Sequence, residues 1–170
     1  MPLIVVGLFF LLLIVNNVIK NAYYAEKERS LESQTQIFAN LIKDISHDKI
    51  YYQKFCDKYG EVISARITII NKDGHVLGDS DKNPKQMDNH LLRPEIVQAE
   101  KFSVGTTRRF SETINKDFMY YAQKVSIDNS YLFLRVSVPL NNIKVVIKEL
   151  QNQIIIIGSL IGILLLYISY

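Results

Sequence analysis

The chain has 170 residues and a formal net charge of +3, and all 20 Lys and Arg and all 17 Asp and Glu lie between Lys20 and Glu149. Two uncharged ends therefore flank a middle stretch of soluble composition, long enough for one packed core. The charge is spread out, with no basic run or aromatic–basic stripe, which excludes a nucleic-acid-binding protein of the usual kind.

In chain order, Leu3–Val15 is a continuous apolar run that Val18 and Ile19 extend, nearly the ~20 residues of a membrane span. It has no basic n-region, and Ala22–Ala25 is a poor cleavage site. Residues 1–19 therefore read as an uncleaved anchor in preference to a signal peptide. From Tyr24 the pattern is helical. Tyr24, Leu31, Phe38 and Ile45 recur at heptad spacing, with Lys27, Gln34 and Leu41 between them and Ile37 and Ile42 widening the stripe. This suits either a seam for a second copy or an ordinary amphipathic helix lying across a sheet. Ser46 or Asp48 can cap a second helix carrying Ile50, Tyr51, Phe55 and Tyr59, with Gly60 as its stop. Cys56 is alone, so no intrachain disulfide is possible, and it reads as a small buried hydrophobe.

Val62–Asn71 has strand composition, Asn71-Lys-Asp-Gly74 is a hairpin turn, and His75–Gly78 returns as a short strand. Asp79–Asn89 is a polar loop. Arg93-Pro94-Glu95 opens a helix to about Lys101, with Pro in its first turn and an acid near its positive end. Thr106–Thr113, Phe118–Val125 and Tyr131–Val138 are strands, the last closed by Pro139. Hairpin connections imply an α+β fold, a five-stranded antiparallel sheet with helices on one face. Asn141 or Asn142 then caps a final helix whose charge-free end, Ile154–Tyr170, reads as a second span. Gly158 and Gly162 in that span form a G-x-x-x-G that allows close helix approach.

The expected organisation is thus a span at 1–19, a soluble domain at 20–149 and a span at 150–170. Lys20, Lys27, Lys144 and Lys148 flank the spans on the domain side, against the positive-inside bias. Segments longer than ~60 residues, however, cross largely regardless of charge. The chain stops at Tyr170 without stop-transfer charges, so it reads as a fragment of a two-pass membrane protein with an extracytoplasmic domain.

Arg66–Ser80, Met87-Asp-Asn-His90, Arg93-Pro-Glu95, Gly105, Arg109, Ser111, Thr113, Tyr120-Tyr-Ala122 and Val138-Pro-Leu140 resemble the extracytoplasmic region of Gram-positive phosphate-regulon-type sensor histidine kinases. The resemblance covers Ala65 to Leu140 and the flanking spans. It implies a PAS-like, single-Cache-type sheet domain between two transmembrane helices, followed by HAMP, cytoplasmic PAS and kinase domains. No phosphoacceptor helix or nucleotide-binding box occurs in these residues, so this chain alone is not expected to be an enzyme.

The candidate ligand set is Arg109, Ser111 and Thr113 on one strand face, joined by Arg135 and Tyr121. Guanidinium forks with hydroxyls are what recognition of a small anion requires. The competing reading pairs Arg66, Arg93, Arg108, Arg109 and Arg135 with Asp79, Asp88, Glu95 or Glu112 as structural bridges. Asp79, Ser80, His90, Arg93 and Pro94 read as a structural motif, His90 holding the Asp79–Ser80 turn against the helix start. Asp79, Asp81, Asp88 and His90 match no metal-loop spacing, and neither metal nor cofactor is expected. The functional expectation is the sensory half of a dimeric histidine kinase, reaching a response regulator only through the absent kinase. Alternatives are a chemoreceptor, a cyclic-dinucleotide enzyme, or a two-span scaffold for another membrane protein.

Overall fold

The computed structural model describes residues 2–43, 49–111, 116–127, 130–140 and 143–169. The chain divides into two compact units, one of Met1–Glu26 with Asn141–Tyr170 and one of Lys27–Leu140.

The first unit holds the beginning of helix α1 (Pro2–Lys43) and helix α4 (Ile143–Ser169). Residues 2–19, expected as a span, are helical within α1. Among the described residues, the helix stretch long and apolar enough to cross a membrane is Ile147–Leu164. The expected caps at Ser46, Asp48, Asn141 and Asn142 lie outside the described residues.

The second unit contains the rest of α1 followed by α2 (Lys49–Ile63), β1 (Arg66–Asn71) and β2 (Val76–Asp79). It continues with α3 (Pro94–Phe102), β3 (Val104–Ser111), β4 (Lys116–Ile127) and β5 (Ser130–Pro139). The five strands form one antiparallel sheet in the order β2-β1-β5-β4-β3, with β5 at the centre. The α+β class and the five-stranded sheet read from the sequence are found.

Two local expectations are corrected. Val62 and Ile63 belong to α2, so β1 begins only at Arg66. Gly60 does not stop α2. A Cβ there would run into the Ser80 side chain, its hydroxyl oxygen only 2.8 Å away, so the glycine serves close packing. The turn into β1 is made instead by Ser64, at φ 50°. The Asn71–Gly74 turn is present, its glycine at φ 86° where a side chain is disfavoured. The Asn71 side-chain oxygen accepts from the amides of Asp73 and His75.

Helices cover both faces of the sheet rather than one. Residues paired directly across antiparallel strands share a face, and the register places Ile67, Val136 and Tyr121 together on one face. There burial, and after it the nearby carboxylates of Glu32 and Glu28 of α1, push the Tyr121 hydroxyl pKa up. Leu31, Thr35, Phe38, Ala39 and Ile42 form the buried stripe of α1, and Phe38 meets Phe55 and Tyr59 of α2 at ring-centroid distances of 5.8 and 5.3 Å. The heptad stripe is therefore split. Leu31 and Phe38 are buried in the domain, whereas Ile37 and Leu41 stay 56% and 40% exposed. Cys56 is fully buried, and burial pushes its thiol pKa up. On the opposite face α3 packs Ile96 and Ala99 against Ile70, Ala122 and Phe133.

Candidate functional site

Beyond that apolar cluster, the α3 face of the sheet becomes charged. The register sets Arg135 of β5 beside Thr68 of β1 and Ala122 of β4. Arg135 is 2% exposed, yet it sits in a strand among apolar neighbours. It survives there because both of its terminal nitrogens are met. Nη1 donates to Glu95 Oε1 at 3.0 Å and Nη2 to Thr68 Oγ1 at 3.2 Å. Burial works against its charge and the Glu95 carboxylate works for it.

Glu95 reaches this point because Pro94 opens α3 and Gly105 lets the helix lie directly on β3. A Cβ at Gly105 would collide with the Glu95 carbonyl oxygen and come within 2.9 Å of the Ala99 amide nitrogen. Thr68 in turn donates to Asp79 Oδ2 at 2.7 Å. Asp79 takes the Arg66 Nε at 3.1 Å on both oxygens and the amides of Asp81 and Lys82 at 2.9 Å. A continuous polar chain, Arg66–Asp79–Thr68–Arg135–Glu95, thus crosses four elements. Arg109 approaches its far end, with Nη2 3.8 Å from the same Glu95 oxygen. The Tyr120 ring lies against both guanidiniums, 4.4 Å from Arg109 Cζ and 5.3 Å from Arg135 Cζ, within cation–π range.

Above this chain is a cavity of about 160 Å³ whose wall includes Arg66, Lys82, Arg93, Arg109, Arg135 and His90. His90 is 5% exposed, and its Nδ1 lies 2.7 Å from the Asp88 carbonyl oxygen. A carbonyl only accepts, so Nδ1 carries the proton. Burial lowers the His90 pKa to about 4, and Arg135, Arg93 and Arg66 push the same way. The ring is therefore neutral near pH 7. The Nε atoms of Arg109 and Arg135 are buried without a hydrogen-bond partner. A larger cleft of about 970 Å³ lies by α2, β2 and the following loop. It mixes Asp57 and Asp81 with Lys82 and Lys85, so no one sign converges on it.

Of the sequence-derived ligand set, Arg109 and Arg135 come together on this wall. Ser111 ends β3 opposite Lys116, and Thr113 lies outside the described residues. Tyr121 is not brought to this wall: it pairs with Val136 on the α1 face, and its neighbour Tyr120 lines the cavity instead. Two of the four bridge partners named for the arginines are found, Asp79 with Arg66 and Glu95 with Arg135. Ser80 accepts from the Ile67 amide at 3.1 Å, pinning the end of β2. Arg93 is the residue that precedes α3, and Pro94 its first. His90 ties α3 to a different turn than expected. Its amide donates to the Gly74 carbonyl at 2.8 Å and its carbonyl accepts from the Arg93 amide at 3.0 Å. The hairpin turn at Gly74, rather than Asp79–Ser80, is thereby fixed to the helix start. Among the described residues, no group of three or more His, Cys, Asp and Glu is placed to hold a metal ion.

The domain is thus a two-faced antiparallel sheet with a long N-terminal helix and a polar cavity near the start of α3. The single Cache-like family model matches residues 21–138, and the chain belongs to that family. Solved structures agree in fold. The ligand-binding domain of the Campylobacter jejuni chemoreceptor Tlp3 in complex with L-norvaline superposes with a TM-score of 0.63 at 16% identity, over 86% of this chain and 64% of that one. The V. cholerae histidine kinase DctB sensor domain gives 0.55 at 17%, over 78% and 55%. The ligand-binding domain of Mlp24 with asparagine gives 0.52 at 17%, over 83% and 59%. The chain thus spans between about half and two thirds of the length of these domains. No curated protein matches it. The domain is a Cache sensor fold, not a catalytic one.

Proposed function

We propose that the chain is the sensory region of a membrane-bound signalling protein and that its ligand is a small anion held in the Arg66–Arg109–Arg135 cavity. The observation that carries this reading is the pair of buried arginine Nε donors without partners beside a cavity rich in cations. Buried donors are normally satisfied, and an oxyanion satisfies them. The single-Cache family match supports a sensing role. The residues resembling phosphate-regulon-type sensor kinases favour a histidine kinase output, with residues 20–149 extracytoplasmic between spans at 1–19 and 150–170. A chemoreceptor output is the second reading, favoured by the likeness to Tlp3. Homodimerisation through the exposed Ile37–Leu41 side of α1 completes the proposal.

Calorimetric titration of the full chain in lipid nanodiscs with succinate and inorganic phosphate tests the ligand. Binding that Arg109→Gln abolishes is expected; heat-silent titrations with both anions would sink the proposal. Orientation is read separately, by labelling Lys72→Cys in intact cells with a membrane-impermeant maleimide. The buried Cys56 should stay unlabelled, so signal from the new thiol reports an extracytoplasmic domain, and its absence a cytoplasmic one.

A further inference from the structure

The charge balance of the cavity narrows the ligand further. Five cations, Arg66, Lys82, Arg93, Arg109 and Arg135, stand on its wall. They face three carboxylates, Asp88 on the wall and Asp79 and Glu95 behind Arg66 and Arg135. Lys82 and Asp88 are exposed at the rim and offset each other. The four arginines and the two buried acids leave an excess of two positive charges in a partly dry space. Such an excess is costly unless a counter-ion arrives.

The hydrogen-bonding valences point the same way. Both Asp79 oxygens are consumed by Arg66, Thr68 and two backbone amides. Glu95 Oε1 takes Arg135, with Arg109 beside it. Glu95 Oε2 has no partner, but Glu95 is not on the cavity wall. The Asp88 carbonyl accepts from His90. A ligand entering the cavity therefore meets mainly donors, the acceptors on the wall being the exposed Asp88 carboxylate, the Gln86 amide oxygen and the unprotonated His90 Nε2. The Tyr120 ring lies 4.4 and 5.3 Å from the Arg109 and Arg135 Cζ atoms, and the unpartnered Nε donors of both arginines remain for charge-assisted contact with an oxyanion. At ~30 Å³ of liquid volume per water, the space equals about five waters, room for a compact ion.

We infer that this cavity selects a compact, doubly charged oxyanion, such as a short dicarboxylate or a sulfate- or phosphate-type ion, and rejects zwitterionic α-amino acids. The inference rests on the reading of the cavity as the ligand site. An amino acid brings one carboxylate and one ammonium. It would leave both excess charges in place and present donors to donors. The chain would then differ in ligand class from the Tlp3 and Mlp24 domains, whose structures hold L-norvaline and asparagine.

The test is calorimetric titration of the full chain in nanodiscs of zwitterionic lipid with four probes: succinate, sulfate, acetate and L-valine. Succinate or sulfate should bind at least about tenfold more tightly than acetate, the value of one further charge-assisted contact. L-Valine should give no heat. Arg93→Gln, at a half-buried wall position, and Arg109→Gln should each weaken the dianion more than acetate. Lys72→Gln, exposed in the hairpin turn and off the cavity wall, should change nothing. L-Valine binding as tightly as succinate, or acetate matching both dianions, would overturn the inference while leaving the ligand site intact if Arg109→Gln still abolishes binding. Silence with all four probes would overturn the ligand site and the inference together.

Discussion

Replacing Glu95 by glutamine removes one charge from the middle of the domain without changing its shape, and the consequence can be worked through. Glu95 is fully buried, and its Oε1 holds the Arg135 Nη1 at 3.0 Å with Arg109 Nη2 at 3.8 Å. In Glu95→Gln the amide oxygen can still accept from Arg135, but that guanidinium, 2% exposed, loses its carboxylate. Removing one partner of a buried pair costs ~3–5 kcal/mol because the other charge is stranded. The retained hydrogen bond argues for the lower end, about 3 kcal/mol. For a domain of this size ~1 kcal/mol moves the midpoint by ~4 °C, so a fall of about 12 °C is expected. The chain has no Trp and 10 Tyr. Near-UV circular dichroism of the tyrosines, Tyr120, Tyr121 and Tyr131 of the sheet among them, therefore follows the loss of tertiary packing in the domain. A midpoint within ~4 °C of the parent would mean that Glu95 does not neutralise Arg135, and the charge balance argued above would fail with it.

Three further outcomes are expected. The folded-state pKa of His90, about 4, lies below the usual ~6.5, so the unfolded chain binds more protons between these values. Stability should therefore fall as pH drops from about 6.5 toward 4, by up to ~3 kcal/mol for this one group; His90→Gln should remove that part of the slope, and identical pH profiles would refute the assignment. Gly105→Ala places a methyl against the backbone of α3, where nothing flexible can yield, so a loss of ~1–3 kcal/mol together with weakened dianion binding is expected in melts and titrations; an unperturbed variant would show that α3 does not depend on that close approach. Leu41→Glu, at an exposed position of α1, should leave the melting midpoint within the usual surface range of ~0.5 kcal/mol while reducing cross-linking of the full chain in detergent; unchanged cross-linking would move the dimer seam elsewhere.

The parts legible in the sequence were those governed by local chemistry. Asn71–Gly74 makes its turn through an Asx hydrogen bond and a positive φ, Pro94 opens α3, and Pro139 ends β5. What failed depends on which face a residue takes. In β4, Phe118 through Ala122 are all buried, because helices lie on both faces, so no alternation marks the phase of Tyr120 against Tyr121. Only the pairing of Tyr120 with Ser137 and of Tyr121 with Val136 settles it. The same two-sided burial hid the position of α3, which was assigned to the wrong layer. Gly60 read as a helix stop because its real constraint, the Ser80 side chain, lies twenty residues away in sequence. Glu95 was legible as a first-turn acid and as one possible arginine partner. That it is wholly buried follows only from Gly105 admitting the helix onto the sheet.

The polar chain is also hard to explain as a stabilising device. Buried ion pairs are often matched or bettered by apolar residues of similar size, and Arg135 already neighbours the Ile70, Ala122 and Phe133 cluster. If the chain served only the fold, an apolar replacement would forfeit stability. If it serves to present N–H donors to the cavity, the fold should tolerate the replacement and the site should not. The double variant Arg135→Met with Glu95→Leu separates these cases, since it removes both charges together and strands neither. Its melting midpoint should lie well above that of Glu95→Gln and close to the parent's, with dianion binding lost. A double variant as unstable as Glu95→Gln would show that the charges hold the sheet to α3, and the arginines would then be structural first and ligand-facing only by position.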